Sequence, residues 1–250
     1  MIYLISAFLI TAFLYASVGF GGGSTYNALL ILYNVDYLLI PKIALTCNLI
    51  VVIGGTIRYQ LNNLIPWKKV LPLIIFSAPF AWIGGRLPID KELFLAILGT
   101  SLLISGIFLL IRKEEIENFS KSVNSKISIF LYNIMSVLIG LISGLVGIGG
   151  GIFLSPVLHL TKTIPSMNIA AISSVFIFVN SIAGLSGQFM KNNNTNLINE
   201  FVGYYWLFFA VLIGGSIGTY LGIKTFHPKI VRRLTAILVI YVSLRILLGF

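Results

Sequence analysis

Gly19-Phe20-Gly21-Gly22-Gly23 and Gly147-Ile148-Gly149-Gly150-Gly151 are two copies of one glycine-rich pattern, and they lie 128 positions apart. Each copy follows a long apolar run and precedes a short one. The same spacing pairs polar residues of the two halves of the chain: Asn27 with Ser155, Thr46 with Ser174, and Gln60 with Gln188. Agreement at several positions is typical of an internal repeat, so we interpret the chain as two related halves.

The composition is that of an integral membrane protein. Of 250 residues, 58% are hydrophobic and only 10% are charged, whereas soluble domains carry about 25% charged residues. Most apolar runs are close to the roughly 20 residues that span a bilayer as a helix. They cover residues 2–33, 43–57, 70–85, 93–111, 127–160, 169–187, 201–223 and 234–249. The sequence therefore predicts an all-α integral membrane protein with two repeats of four apolar segments, eight in total.

A charged stretch between the fourth and fifth runs divides the chain. We predict a first transmembrane repeat over 1–111, a cytoplasmic linker over 112–126 and a second transmembrane repeat over 127–250. No loop is long enough for a folded soluble domain, and no Gly-Lys-Ser or Gly-Lys-Thr of a phosphate-binding loop occurs. The 17 Lys and Arg residues outnumber the 7 Asp and Glu residues. Because they lie singly or in pairs between apolar runs, we assign them to membrane topology and lipid contact rather than to nucleic acid.

The distribution of basic residues favours inverted repeats. Lys and Arg accumulate on the cytoplasmic side of membrane proteins. If each glycine-broken run enters and leaves on one side, one face holds only Lys42, Arg86, Lys91, Lys191 and Arg245, and the other face holds the remaining twelve. If each broken run crosses once, the division is eight against nine. The first segment of each repeat is thus predicted to be a glycine-broken helix pair, either re-entrant or made of two short helices.

The glycine runs have two interpretations. In lipid, a helix break is tolerated only where its main-chain groups face protein or a water-filled cavity. New helices, predicted to begin at Ser24–Thr25 and at about Ile152, would present unpaired amides and a positive dipole end, which bind anions. Glycine also allows close helix packing. We assign that role to the pairs Gly54-Gly55, Gly84-Gly85 and Gly214-Gly215, and it is the alternative for the two pentapeptides.

Polar residues inside the apolar runs favour an anion over a cation. All 7 acids lie in loops or at segment ends, whereas cation carriers usually hold an acid at membrane depth. The deeper polar residues are Ser, Thr and Asn, which can donate to oxyanion oxygens or bond a carbonyl of their own helix. The predicted substrate-binding residues are the break glycines and their polar neighbours: Gly21, Gly22, Gly23, Ser24, Asn27, Thr46, Asn48, Gly149, Gly150, Gly151, Ser155 and Ser174. Such a site needs a cavity beside the two breaks.

A membrane-embedded enzyme is disfavoured. Two histidines, one cysteine and no deep acid leave few general bases. A nucleophile such as Ser24 or Ser155 would need His159 nearby, and nothing in the spacing supports that. Cys47 lies inside an apolar run, so the sequence predicts neither a disulfide nor a Cys/His metal cluster. We expect no catalytic residue, no metal and no cofactor.

These motifs resemble those of the TauE/SafE sulfite exporter family. The stretch GLVGIGGGIFLSPVL at 144–158 is similar to the family's pattern, and STYNALL at 24–30 follows the first copy. Ala44-Leu45-Thr46 and Ile172-Ser173-Ser174 resemble its second motif. The resemblance implies secondary transport of sulfur-containing anions through a site near the two breaks. The two copies differ, with Ala28 opposite Pro156 and Asn27 opposite Ser155, so the implied site is asymmetric.

We therefore expect a secondary transporter of a small sulfur-containing oxyanion, such as sulfite or a sulfonate, that works by alternating access. The anion would bind at the N-termini of the broken half-helices near the bilayer midplane. An anion channel or a carrier of another small anion is the alternative, and a membrane-embedded hydrolase is less favoured. The expected partners are the anion and the lipid bilayer of the cell membrane, which the chain crosses several times, and not nucleic acid. A homodimer and a coupling proton are left open.

Overall fold

The chain is α-helical throughout the part that the structure describes. The computed structural model describes residues 1–17, 19–111, 126–160, 164–191, 195–221 and 228–249, and within these ranges every regular element is a helix. The predicted all-α class is confirmed. The predicted linker, apart from Lys126, lies outside the described residues.

Among the described residues, the first half contains five helices and the second half contains six. The first half contains α1 (Ile2–Ser17), α2 (Gly23–Leu32), α3 (Ile40–Leu61), α4 (Trp67–Arg86) and α5 (Lys91–Ile111). The second half contains α6 (Lys126–Val146), α7 (Gly151–Leu160), α8 (Ser166–Lys191), α9 (Thr195–Gly203), α10 (Tyr205–Leu221) and α11 (Pro228–Leu247). Each long glycine-containing run is two helices, and α2 and α7 begin 128 positions apart.

Helix length supports several membrane crossings but not the full predicted number. Among the described residues, three helices are long and apolar enough to span a bilayer: Ile40–Leu61, Lys91–Ile111 and Met167–Lys191. A fourth span is formed if Leu197–Gly203 and Tyr205–Leu221, which meet at an angle of 44°, act together. This bend was not predicted from the sequence. The arrangement of eight segments in inverted repeats remains a prediction.

The first helix of each half packs against the other half. α1 packs along α10, and α6 packs along α4. Glycine makes both contacts close, because a Cβ on Gly84 would overlap the carbonyl oxygen of Leu141, and one on Gly218 would overlap that of Phe13. Phe13 lies 128 positions before Leu141, so Gly84 and Gly218 are equivalent although they are 134 positions apart. The offset between these two glycines is therefore six residues longer than the offset between the glycine pentapeptides.

Equivalent helices of the two halves cross in opposite directions. Along α3 from Thr56 to the loop residue Leu64, the partners on α8 run backwards from Ser174 to Asn168. α5 and α11 behave alike, since Gly99 lies against Leu247 while Gly106 lies against Ile240. The centre of the molecule is thus an antiparallel α3–α8 pair, with the two glycine breaks beside it.

Candidate functional site

The first break begins as a helix C-terminus stabilised by glycine. The amide of Phe20 donates to the carbonyl of Tyr15 at 3.0 Å, and the amide of Gly19 donates to that of Ala16 at 3.2 Å. Gly19 has φ +78°, so this is the termination motif in which a left-handed glycine turns the chain out of a helix. α2 then starts at Gly23 after Gly22, which makes no side-chain capping bond. The first turn of α2 therefore has main-chain amides without a capping side chain.

The second break has the same outline and a different conformation. Gly147, at φ +81°, ends α6 as Gly19 ends α1. Gly149 and Gly150 also have positive φ, at +82° and +79°, whereas their counterparts Gly21 and Gly22 do not. Main-chain conformations of this kind are readily accessible only to glycine. The two breaks are therefore similar in sequence but differ in main-chain conformation.

The two breaks contact each other. A Cβ on Gly23 would overlap the main-chain carbonyl oxygen of Ile148. Asn48 of α3 lies between them: its amide nitrogen would be 2.5 Å from a Cβ on Gly23 and 2.8 Å from one on Gly149, and its amide oxygen 2.6 Å from one on Gly21. The fold thus brings four predicted site residues to one place: Gly21, Gly23, Asn48 and Gly149.

Two asparagines of the first half hold the second break. Asn48 Nδ2 donates to the carbonyl of Ile148 at 3.1 Å, and Asn27 Nδ2 donates to the carbonyl of Val146 at 2.8 Å. Both side chains are fully buried, and in both the Oδ1 oxygen has no hydrogen-bond partner. The repeat position equivalent to Asn48 is Phe176, which cannot donate. At this position the second half therefore has no side-chain donor that could hold the first break in the way that Asn48 holds the second.

Of the other predicted polar residues, Thr46 is partly buried, and Ser24, Ser155 and Ser174 are buried. Thr46 donates its hydroxyl to the carbonyl of Lys42 in its own helix at 2.8 Å. Ser174 pairs with Thr56 at 2.9 Å. Ser24 and Ser155 are 2% and 3% exposed, on the first turns of α2 and α7. Thr46 and Ser174, matched in the repeat, are thus not brought to the point where the breaks meet.

The remaining break glycines pack against apolar side chains. A Cβ on Gly22 would be 2.7 Å from the ring of Tyr26, and one on Gly150 would be 2.9 Å from that of Phe176. Gly151 lies against Ile177 in the same way. In this conformation the packing interpretation applies to these three positions, while Gly21, Gly23 and Gly149 face polar atoms.

Ser181 is a polar neighbour of the breaks that the sequence analysis missed. It is fully buried, its hydroxyl has no partner, and its Oγ would be 3.2 Å from a Cβ on Gly149. The repeat gave no signal for it, since the position 128 residues earlier is Ile53. Only the antiparallel crossing of α3 and α8 brings Ser181 toward Asn48.

A cavity in the described part of the structure lies away from the breaks. It has a volume of about 700 Å³ between α3 and α10, and Val51, Gly54, Arg58, Gly215 and Thr219 are among its lining residues. The guanidinium of Arg58 donates to the carbonyl of Thr219 at its end. At the breaks themselves the chain segments are in contact, so the described cavity does not provide the space beside the breaks that the predicted site needs.

Charged residues of the described chain lie at helix ends, away from Asn48. Lys42 lies near the start of α3, Asp36 lies in the preceding loop, and Lys191 is the last residue of α8. Asp90 and Glu92 lie at the start of α5, and Glu200 lies in the short α9. Within the described part of the chain, Asn48 contacts neutral main-chain groups of the two breaks.

The fold and this centre define a class of protein: an all-helical membrane protein in which two glycine-broken helices meet beside an antiparallel helix pair. Residues 3–246 match the family Sulfite exporter TauE/SafE, and the chain belongs to this family.

Relatives cover nearly the whole chain. The chain is 29% identical over 241 residues to the probable membrane transporter protein y4hK of Sinorhizobium fredii, covering 96% of each. It is 30% identical over 236 residues to the probable membrane transporter protein MJ0441 of Methanocaldococcus jannaschii, covering 88% of this chain and 86% of the relative. No solved structure matches the chain.

Proposed function

We propose that this protein is a secondary transporter of a small sulfur-containing oxyanion, such as sulfite or a sulfonate, in the cell membrane. The family, and relatives named as probable membrane transporters, support transport. The observation that carries the proposal is the meeting of the two breaks at Asn48, next to the starts of α2 and α7. The substrate would bind at this point.

The charge of the site favours an anion. Helix N-termini carry a partial positive charge and free main-chain amides, and α2 and α7 both start at the breaks. The described acids lie at or near helix ends, so none is placed to hold a cation beside Asn48. Ser24, Ser155 and Ser181 add buried hydroxyls, which can donate to oxyanion oxygens.

We also propose that the two halves are inverted repeats. The support is the direction of the equivalent helices: α3 runs against α8, and α5 runs against α11. A two-fold axis in the membrane plane reverses equivalent helices, whereas an axis along the membrane normal would keep them parallel.

The packing suggests how such a protein would move. α6 and α8 pack on α4, while α1 and α3 pack on α10, and the two groups meet mainly along α3 and α8. Glycine allows close main-chain contact within each group, between α4 and α6 and between α1 and α10. We propose that rocking along the α3–α8 contact opens the site alternately to each side. Asn27, Thr46 and Ser174 donate to the protein itself here, so they would contribute to binding only where those bonds open.

Transport of labelled sulfite by the purified chain in liposomes tests the proposal. Gly23→Ala and Gly149→Ala place a methyl group against Ile148 and Asn48, and we expect transport to fall about tenfold or more, since overpacking costs about 1–3 kcal/mol. Gly203→Ala is the matched control, because a Cβ there meets nothing within 4 Å. Gly21→Ala, whose Cβ would meet only side chains, is a milder variant if Gly23→Ala does not fold.

The kinetics of anion transport distinguish a carrier from a channel. A carrier saturates and exchanges internal for external anion, whereas a channel does neither. Unchanged transport by correctly folded Gly23→Ala and Gly149→Ala proteins would show that the breaks are not the binding site. If the unmodified chain moves neither sulfite nor a sulfonate, the proposed substrate class is wrong.

A further inference from the structure

The hydrogen bond of Asn48 fixes the orientation of its side chain. The carbonyl of Ile148 can only accept, so the group 3.1 Å away must be the Asn48 nitrogen. The amide oxygen then points toward Gly21, where a Cβ would lie 2.6 Å from it. The hydrogen bond therefore decides which side-chain atom of Asn48 is the nitrogen and which is the oxygen.

The Asn48 oxygen has no donor in this conformation. The residue is fully buried and Oδ1 has no hydrogen-bond partner. Burying an acceptor without a donor is costly, so this oxygen, at the point where the two breaks meet, would be stabilised by a donor that arrives with a bound molecule. That molecule must supply a hydrogen-bond donor.

The same place is unfavourable for two simple occupants. A sodium ion could use the Asn48 oxygen, but it would lie next to the positive ends of α2 and α7. A fully deprotonated anion suits the helix ends, but it would place an oxygen against the unpaired oxygen of Asn48. An anion that retains one proton satisfies both requirements, because its O–H group donates while its other oxygens accept.

We propose that the site selects an oxyanion in its singly protonated form, which for sulfite is hydrogensulfite. This inference rests on the proposed function and narrows it. The O–H group of the anion donates to Asn48 Oδ1, and its remaining oxygens accept from main-chain amides at the breaks and from the hydroxyl of Ser181. The proton then crosses the membrane with the anion as part of the substrate.

Methanesulfonate is the probe that distinguishes recognition of the negative charge from recognition of the proton. Like hydrogensulfite it is a small monoanion with sulfonyl oxygens, but it has no O–H group. We expect the unmodified chain to bind hydrogensulfite about ten- to a hundredfold more tightly than methanesulfonate, because methanesulfonate leaves the Asn48 oxygen unpaired. Competition binding on the purified protein measures both, and it does not depend on any variant folding.

The pH dependence gives a second readout. As pH rises through the second ionisation of sulfite, apparent affinity for total sulfite should fall about tenfold per pH unit, in step with the protonated fraction. The titratable groups described on the elements that pack around Asn48 include Tyr15, Tyr26, Cys47, Tyr59 and the terminal Lys42 and Lys191, which ionise well above neutral pH in water. Methanesulfonate does not titrate in this range, so its binding reports any titration of the protein.

Asn48→Leu removes the unpaired oxygen and should abolish the preference for hydrogensulfite over methanesulfonate. Asn180→Leu is the matched control: Asn180 is also fully buried with an unpaired Oδ1, but its Nδ2 donates within its own helix, to Phe176. The control should keep the preference.

Each other outcome overturns the inference in a recognisable way. Equal affinity for both anions would show that the site does not recognise the proton of hydrogensulfite. Equal affinity for total sulfite below and above its second ionisation would show the same. Tighter binding of the anion when sodium replaces potassium in the buffer would show that a cation, and not a proton of the substrate, binds the Asn48 oxygen. Absence of binding and transport for both anions would instead reject the proposed function itself.

Discussion

Asn27 Nδ2 donates a 2.8 Å hydrogen bond to the main-chain carbonyl of Val146, 119 residues further along the chain. Asn27 lies on α2, just after the first break, and Val146 is the last residue of α6, just before the second. The bond satisfies a carbonyl at a helix end, where no intrahelical amide is available. One side chain of the first half thus fixes the point at which the second half leaves its helix.

We expect Asn27→Leu to destabilise the protein by about 1–3 kcal/mol, because the buried carbonyl of Val146 loses its donor. The midpoint of thermal unfolding in detergent should fall by several degrees. Asn62→Leu is the control, since Asn62 also donates to a carbonyl, that of Arg58, but at an exposed position. Equal shifts for the two variants would mean that the bond to Val146 has no special structural role.

Gly144→Ala should be among the most damaging small substitutions in the chain. Its Cβ would overlap the carbonyl oxygen of Ala81. Because main-chain atoms cannot move aside as the end of a flexible side chain can, α6 must move away from α4. We expect a loss of about 1–3 kcal/mol or more, seen as a lower unfolding midpoint. Gly203→Ala, with open space around its Cβ, should leave the midpoint nearly unchanged; a comparable fall there would contradict the packing argument.

The positions of the breaks could be predicted from the sequence, and the reason is local. A run of three glycines in an apolar segment ends a helix wherever it occurs, so the predicted starts at Ser24–Thr25 and about Ile152 fall within one or two residues of Gly23 and Gly151. The assignment of Gly84-Gly85 and Gly214 to helix packing is confirmed by their contacts with main-chain atoms of neighbouring helices. Both inferences needed only the residue type and its surroundings.

The contacts between the breaks could not be predicted, because they depend on tertiary packing. Nothing in the local sequence relates Asn48 to Ile148, 100 residues away, and the repeat offers only Phe176 as a counterpart. Thr46 and Ser174 were selected because the repeat matches them, but equivalent positions in an inverted pair need not meet, and here Ser174 contacts Thr56 instead. Ser181 has no repeat partner and becomes visible only once α8 lies antiparallel to α3.

Ser181→Ala should raise the KM for sulfite about five- to thirtyfold, because the substrate loses a charge-assisted hydrogen bond worth about 1–2 kcal/mol. Thr46→Val is the matched control, since the Thr46 hydroxyl is occupied by the carbonyl of Lys42; we expect less than about a threefold change. The measurement is initial transport rate against sulfite concentration in liposomes. A large effect of Thr46→Val, with no effect of Ser181→Ala, would show that the hydroxyl of Thr46 binds the substrate and that of Ser181 does not.

Cross-linking α3 to α8 should stop transport if the two groups of helices rock along this contact. The hydroxyl oxygens of Thr56 and Ser174 are 2.9 Å apart, which is close enough for a disulfide between cysteines at these positions after small adjustments. In a Cys47→Ser background, which removes the only native cysteine, the Thr56→Cys/Ser174→Cys protein should lose transport on oxidation and regain it on reduction. The two single-cysteine variants control for oxidation without a cross-link. Full transport by the oxidised double variant, with disulfide formation verified by mass spectrometry, would place the moving boundary elsewhere, because a covalent bond across α3 and α8 permits no sliding of one helix along the other.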